Sequence, residues 1–293
     1  MLNYITWQGS EGFNILGFTL HFYSLMWVAA FLIGYRIMAY FFQKEGVSKE
    51  HLDPLFLYTF FGAVLGARLG EYLFYDPRAF IERPLEVFLP IQYSPGSEAL
   101  FGMIKNYKFV GFQGLASHGA TLGLLISSYL FTKKYLKGKN LLWLLDRLAI
   151  TVAIGGAFVR IGNFVNSEIV GKPSNLPWAV LFEKQSPSYG ELVPRHPAQL
   201  YEAGCYILLF FILWFLYQKP HMRKKNGFIF GLFFVLLFVI RYIIEFFKED
   251  QGVEWVAETL NLNLNNGQLL SIPFILIGLF IIYQVNKKNH ETN

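Results

Sequence analysis

Seven apolar segments separated by polar connections dominate the pattern of this chain. Each segment is long enough to cross a hydrocarbon core about 30 Å thick as a helix. The third and fourth segments are richer in glycine and polar residues than the others. The segments cover residues 20–42, 54–75, 113–131, 141–165, 197–217, 227–247 and 268–285. The pattern therefore predicts an all-α polytopic membrane protein, a bundle of about seven transmembrane helices.

The basic residues of the connections favour one orientation of this bundle. Lys and Arg cluster at 44–49, 133–139, 219–225 and 287–288, whereas the first 22 residues and residues 249–267 contain none. Because basic connections stay in the cytoplasm, we expect the N-terminus outside and the C-terminus in the cytoplasm. Neither a basic n-region nor a small-residue cleavage site precedes the first segment, so we expect no removable signal peptide.

Composition supports a single membrane-embedded domain. The chain is 54% hydrophobic and 15% charged, with a mean hydropathy of +0.37, which is too apolar for a soluble domain. We predict one integral membrane domain over residues 1–293, with long outer loops at about 76–112 and 168–196. The net charge of +5 comes largely from the predicted cytoplasmic clusters, so it indicates contact with anionic lipid and no nucleic-acid partner. We expect the single cysteine, Cys205, to be a small buried hydrophobe.

Arg160 is the most informative residue, because it follows an apolar run in the fourth segment. On a helix Arg160, Asn163 and Ser167 share one face, at positions i, i+3 and i+7. Burying a guanidinium in a membrane costs from about 2.5 to more than about 10 kcal/mol, so the pattern indicates an anionic ligand or a paired carboxylate. The alternative is that Arg160 snorkels to the interface, since it lies near the end of its segment.

With this orientation, six segments place ionisable or hydroxyl groups in one outer layer. Arg241 and Glu245 stand at i and i+4, and one interpretation is that they only neutralise one another. Small residues on both sides of His118 leave room for a substrate at its imidazole. We expect Asp146 and Arg147, near the cytoplasmic end of the fourth segment, to be interfacial. The groups of the outer layer are Tyr23, Arg68, Glu71, His118, Arg160, Asn163, His196, Tyr201, Glu202 and Arg241.

The sequence contains no familiar catalytic or metal-binding motif. It has no Cys/His array, no Walker loop, no HExxH and no Gly-x-Ser-x-Gly, so we expect neither a metal nor another cofactor. What remains is an anion site with a base at the outer leaflet. The abundant anion at that depth is a phospholipid phosphate.

The residues around Arg160 resemble the signature of the prolipoprotein diacylglyceryl transferases. The signature-like stretch runs from Arg160 to Gly171, and six further blocks follow the family order over nearly the full chain. Ser167 stands where the family commonly has glycine, and Lys172 and Lys248 stand where arginines often occur. The further blocks are Tyr23, 66–70, 117–119, 195–202, 241–247 and 267–273.

This resemblance implies a reaction, its substrates and a set of site residues. The diacylglyceryl group of phosphatidylglycerol would move to the lipobox cysteine thiol of a prolipoprotein signal peptide, with release of glycerol phosphate, in the bacterial cytoplasmic (inner) membrane. A transporter or binding protein for an anionic lipid is the alternative. The resemblance implies catalytic roles for His118, Tyr23 and Arg241, and substrate-binding roles for Arg160, Asn163, Glu168, Gly171, Glu245 and Arg68.

Overall fold

The computed structural model describes residues 4–9, 12–15, 18–99, 102–110, 116–249 and 264–291. The chain is 66% helical, which confirms the helical class, and short strands accompany the helices. The helices are α1 Phe22–Lys44, α2 Leu52–Tyr75, α3 Ala79–Glu82, α4 Pro84–Phe88, α5 Ser117–Tyr135, α6 Leu141–Val165, α7 Ala198–Gln218, α8 Pro220–Arg223, α9 Phe228–Ile244 and α10 Asn266–Glu291. The strands are β1 Ile5–Trp7, β2 Gly12–Ile15, β3 Phe18–His21, β4 Ile91–Ala99, β5 Ile104–Phe109 and β6 Val180–Phe182.

Five helical stretches among the described residues are long and apolar enough to cross a membrane. The predicted segment 227–247 is the shorter apolar helix α9. The predicted segment 113–131 begins outside the described residues and continues as α5, whose Gly, Ser and Thr residues lower its hydropathy. A count of seven spans and the orientation therefore stay predictions. The five stretches are Phe22–Lys44, Lys49–Leu73, Leu141–Val165, Ala198–Gln218 and Gly267–Lys288.

The described chain forms two compact units, residues 1–45 with 145–293 and residues 46–144. In the first unit α1 and α6 run antiparallel, and glycines of α6 lie opposite side chains of α1. A side chain at Gly155 would meet the Ala30 Cβ at 3.7 Å, and one at Gly162 would meet the Tyr23 ring at 2.8 Å. Tyr23 thus packs on the helix that carries Arg160.

The stretch after α6, predicted as an outer loop at 168–196, is an ordered cap on the first unit. Strand β6 within it pairs in parallel with β1, and Val170, Val180 and Phe182 form a buried apolar cluster. Arg195 is buried, and its guanidinium donates to the Gly171 carbonyl at 3.2 Å and contacts Glu249 at 2.5 Å. Backbone and carboxylate acceptors therefore hold this cationic side chain inside the cap.

At the other end of α6, Asp146 and Arg147 are buried within the protein, and their interfacial depth in the membrane stays a prediction. Both Asp146 oxygens accept from the backbone at the start of α9, from the Gly227 and Phe230 N–H groups at 2.8 Å each. Arg147 pairs with Glu45, at the end of α1, through Nη2 at 2.7 Å and Nε at 2.9 Å. These partners come from other helices, so they could not be read from the local sequence.

The second unit is built on a close antiparallel contact between α2 and α5. Gly62, Gly66 and Gly70 on α2 face Gly119 and Gly123 on α5, and a Cβ at Gly123 would lie 2.9 Å from the Gly66 Cα. The Ala116 N–H, just before α5, donates to the Ala67 carbonyl at 3.1 Å. Glycine spacing of this kind lets helix backbones touch.

Candidate functional site

Arg160, near the end of α6, is held at two of its nitrogen atoms. Its Nε lies 2.9 Å from Glu202 Oε2 on α7, and its Nη1 donates to Asn163 Oδ1 at 3.1 Å. The side chain remains 17% exposed. A guanidinium has five N–H donors, so these two contacts leave others for a ligand.

Glu202 is the buried centre of the network around Arg160. Its side chain is fully buried, and its Oε2 also lies 3.1 Å from Lys248 Nζ. Its other oxygen, Oε1, accepts from the Tyr206 hydroxyl at 2.5 Å. A buried carboxylate is stable only where cations and hydrogen-bond donors surround it. Glu202 has two cations, Arg160 and Lys248, and one hydroxyl donor, Tyr206.

Arg241 and Glu245 lie at the other side of Lys248. Lys248 Nζ contacts Glu245 Oε1 at 3.2 Å, whereas Arg241 Nε is 3.9 Å from the same oxygen. Arg241 is also the most exposed cation of the group, at 35%. The predicted pairing of Arg241 with Glu245 is therefore present but long, and about a third of the Arg241 side chain is exposed.

Asn163 links Arg160 to Glu168. Asn163 Nδ2 donates to Glu168 Oε2 at 3.1 Å while its Oδ1 accepts from Arg160, so both halves of the amide are used. Glu168 is exposed and lies in a turn whose neighbours Ser167 and Ile169 have φ angles of 57° and 55°. Gln199 on α7 holds this turn by donating to the Glu168 carbonyl at 2.6 Å.

Gly171 lies where three backbone segments meet. Its N–H donates to the His196 carbonyl at 3.0 Å, and a Cβ at this position would lie 2.7 Å from the Phe247 carbonyl oxygen. Gly171 also forms a β-bridge with Lys248. The absence of a side chain therefore brings Lys248 towards Glu202.

Burial lowers the pKa of His196, which precedes α7.

Arg68 and His118 belong to the second unit. Arg68 is buried, donates to the Glu86 carbonyl at 2.5 Å and stacks on the Tyr72 ring at 4.8 Å. His118 lies in the first turn of α5, and its side chain is outside the described part of the structure. The structure thus gives Arg68 backbone partners, while substrate-binding by Arg68 and catalysis by His118 stay predictions.

The network around Glu202 can bind an anion. Three cations, Arg160, Arg241 and Lys248, share two carboxylates, Glu202 and Glu245, which leaves one formal positive charge among these five groups. The cluster joins α6, α7 and α9 in the first unit. Charge-assisted contacts to a phosphate from two guanidinium groups suit this arrangement.

Sequence reasoning missed the central role of Glu202, Lys248 and Tyr206. Glu202 and Tyr206 stand at i and i+4 near the start of α7, so they share a helix face. A carboxylate within an apolar helix indicates a partnered, functional group, and this signal was available. Which cations meet it depends on the packing of other helices.

Comparison with known proteins gives one consistent family. The sequence model described as prolipoprotein diacylglyceryl transferase matches residues 11–284. A phosphatidylglycerol-prolipoprotein diacylglyceryl transferase of Bacteroides fragilis is 38% identical over 97% of this chain and 96% of its own. Proteins of the same name from Tolumonas auensis and Porphyromonas gingivalis are 37% and 36% identical, over 90% and 97% of this chain and 90% and 95% of their own lengths. The chain therefore belongs to the prolipoprotein diacylglyceryl transferase family.

Proposed function

We propose that this chain transfers the diacylglyceryl group of phosphatidylglycerol to the lipobox cysteine of prolipoproteins, releasing glycerol phosphate. Family membership supports the reaction. The observation that carries the proposal is the doubly held Arg160, joined through Glu202, Lys248 and Glu245 to the more open Arg241. Two arginines within one network are suited to a lipid phosphate.

The reaction makes one bond and breaks another. The thiolate sulfur attacks the glyceryl carbon next to the phosphate, an S–C bond forms, and the C–O bond to the phosphate breaks. The thiol proton goes to a base, and the electron pair of the broken bond leaves with glycerol phosphate. Arg160 and Arg241 hold the phosphate oxygens and stabilise the charge on the leaving group. Tyr23, packed against Gly162, supports the helix that carries Arg160.

His118 is the proposed base for the thiol. An ordinary thiol pKa is about 8.5, so a nearby imidazole with a reference pKa of about 6.5 assists its deprotonation at neutral pH. His118→Gln keeps the approximate size and removes the basic nitrogen. We expect kcat to fall about 10²-fold. Thermal unfolding of both proteins checks that the fold is unchanged. Unchanged kcat would return His118 to a structural role.

The location of the reaction follows from the charge pattern. We propose seven spans, with the N-terminus outside and the site in the outer half of a bacterial inner membrane. Lys and Arg in the connections support this orientation. An acceptor peptide that emerges at the outer leaflet reaches such a site directly.

One assay tests the proposed reaction. Purified protein is incubated with phosphatidylglycerol labelled in its acyl chains and a lipobox peptide, and the peptide is examined by mass spectrometry. We expect a thioether-linked diacylglyceryl peptide, and no product from a matched peptide with serine in place of cysteine. Folded protein that retains labelled lipid but forms no thioether would instead support the alternative of lipid binding or transport.

A further inference from the structure

The Glu202 carboxylate contacts two of the three cations of the network, Arg160 and Lys248. Its Oε2 faces Arg160 Nε at 2.9 Å and Lys248 Nζ at 3.1 Å, and its Oε1 faces the Tyr206 hydroxyl at 2.5 Å. Because Glu202 is fully buried, water does not compete for these contacts. Each oxygen therefore has its own partners.

These contacts fix the plane of the Arg160 guanidinium. Glu202 holds Nε and Asn163 holds Nη1, and two anchored nitrogen atoms of a rigid planar group define its orientation. The remaining N–H donors then point in a set direction. An anion is bound best when such donors are already oriented, since no reorganisation is needed.

Tyr206 in turn supports Glu202, and its own ring rests on Gly156 of α6. A Cβ at Gly156 would lie 3.1 Å from Tyr206 Cδ2 and 3.3 Å from its Cε2, closer than an ordinary contact. The ring is buried between the two helices. Gly156 and Arg160 lie one turn apart on α6, as Glu202 and Tyr206 do on α7.

We propose that Glu202, supported by Tyr206, is a positioning residue that orients Arg160 towards the phosphate of the lipid donor. This inference rests on the proposed function and assigns within it a role to a residue that does not itself touch the donor. The competing explanation is that Glu202 only neutralises Lys248 for folding. The two explanations differ in what a paired charge removal does.

A double substitution separates positioning from neutralisation. Glu202→Gln leaves Lys248 and Arg160 without their carboxylate, which destabilises the fold. Glu202→Gln combined with Lys248→Met removes one charge of each sign. We expect thermal stability to return towards that of the unsubstituted protein, while kcat/KM for phosphatidylglycerol stays about 10²-fold low and KM for the peptide is unchanged. Recovery of kcat/KM together with stability would overturn the proposal.

Two adjacent glycines supply a matched test that leaves every charge in place. Gly156→Ala crowds the Tyr206 ring, whereas a Cβ at Gly155 meets Ala30 at an ordinary 3.7 Å. We expect Gly156→Ala and Tyr206→Phe, which loses the hydrogen bond to Glu202, each to raise KM for phosphatidylglycerol about fivefold, and Gly155→Ala to leave it unchanged. Equal KM values for all three variants would contradict positioning. The unsubstituted protein is assayed in parallel. If it forms no product, the proposed function is wrong, whereas equal KM values in an active enzyme contradict only the positioning role.

Discussion

Arg160 is held through the geometry of its guanidinium as well as through its charge. Nε and Nη1 use separate partners, Glu202 and Asn163, and these partners lie on different helices. An ammonium group carries its three donors on one nitrogen, so it cannot reproduce the planar fork in which separate nitrogen atoms hold separate partners. The residue type at this position therefore matters beyond its sign of charge.

Substitution of Arg160 should show this difference. We expect Arg160→Lys to lose nearly as much activity as Arg160→Ala, about 30-fold to 1000-fold, because a charge-assisted contact in a site of low dielectric contributes about 2 to 4 kcal/mol. Activity is measured at matched membrane expression, together with the phosphatidylglycerol retained on purification. A fully active lysine variant that keeps its lipid would leave Arg241 as the principal phosphate ligand.

Ser167 carries local strain that a glycine would relieve. Its φ angle is 57°, its side chain is buried, and its hydroxyl has no hydrogen-bond partner among the described residues. We expect Ser167→Gly to raise the free energy of unfolding by about 1 kcal/mol, because glycine adopts this φ without a steric cost. Ser167→Ala is the control, since it removes the hydroxyl and keeps the Cβ. Thermal unfolding in detergent measures both, and equal values would show that φ strain contributes nothing.

At the scale of helices, the contact of α2 with α5 depends on the absence of side chains. A Cβ at Gly123 would overlap the Gly62 carbonyl oxygen and lie 2.9 Å from the Gly66 Cα. We expect Gly123→Ala to destabilise the protein by about 1 to 3 kcal/mol, the usual cost of overpacking. Activity should fall with it, because α5 begins at Ser117 and carries His118 in its first turn.

Gly204 on α7 is the matched control for this helix contact. No heavy atom of the described residues lies within 4 Å of a Cβ placed there, so Gly204→Ala should leave unfolding unchanged or slightly stabilise α7. Thermal unfolding of the two variants in the same detergent gives the comparison. A Gly123→Ala protein as stable as Gly204→Ala would show that α2 and α5 can separate without cost.

The helices and the local part of the site could be predicted from the sequence, whereas the contacts between helices could not. Helical periodicity places Asn163 one turn from Arg160, and the two side chains are hydrogen-bonded in the structure. The predicted helix face does not extend to Ser167, because α6 ends at Val165. The contact between Arg160 and Glu202 joins two helices whose facing sides are set by packing. The turn at Ser167 and Ile169 could not be predicted either, because positive φ angles are rare for serine and isoleucine.

At the scale of the whole molecule, the orientation is the main prediction left to test. We expect a reporter fused after Lys288 to be cytoplasmic and one inserted near Ser10 to be outside, since basic residues cluster in alternate connections. Activity of paired alkaline phosphatase and fluorescent protein fusions measures both positions. The reverse result would move the proposed site to the inner leaflet.

The buried pair of Arg147 with Glu45 has a consequence for the order of synthesis. The two residues are 102 positions apart, and all of the second unit is translated between them. The contact between α2 and α5 can therefore form before α6, the partner of α1, has been synthesised. The contacts of Asp146 form later in synthesis still, because the backbone at the start of α9 that it caps begins 81 positions further along, at Gly227. The contacts within the first unit are thus completed last, after most of the chain has been translated.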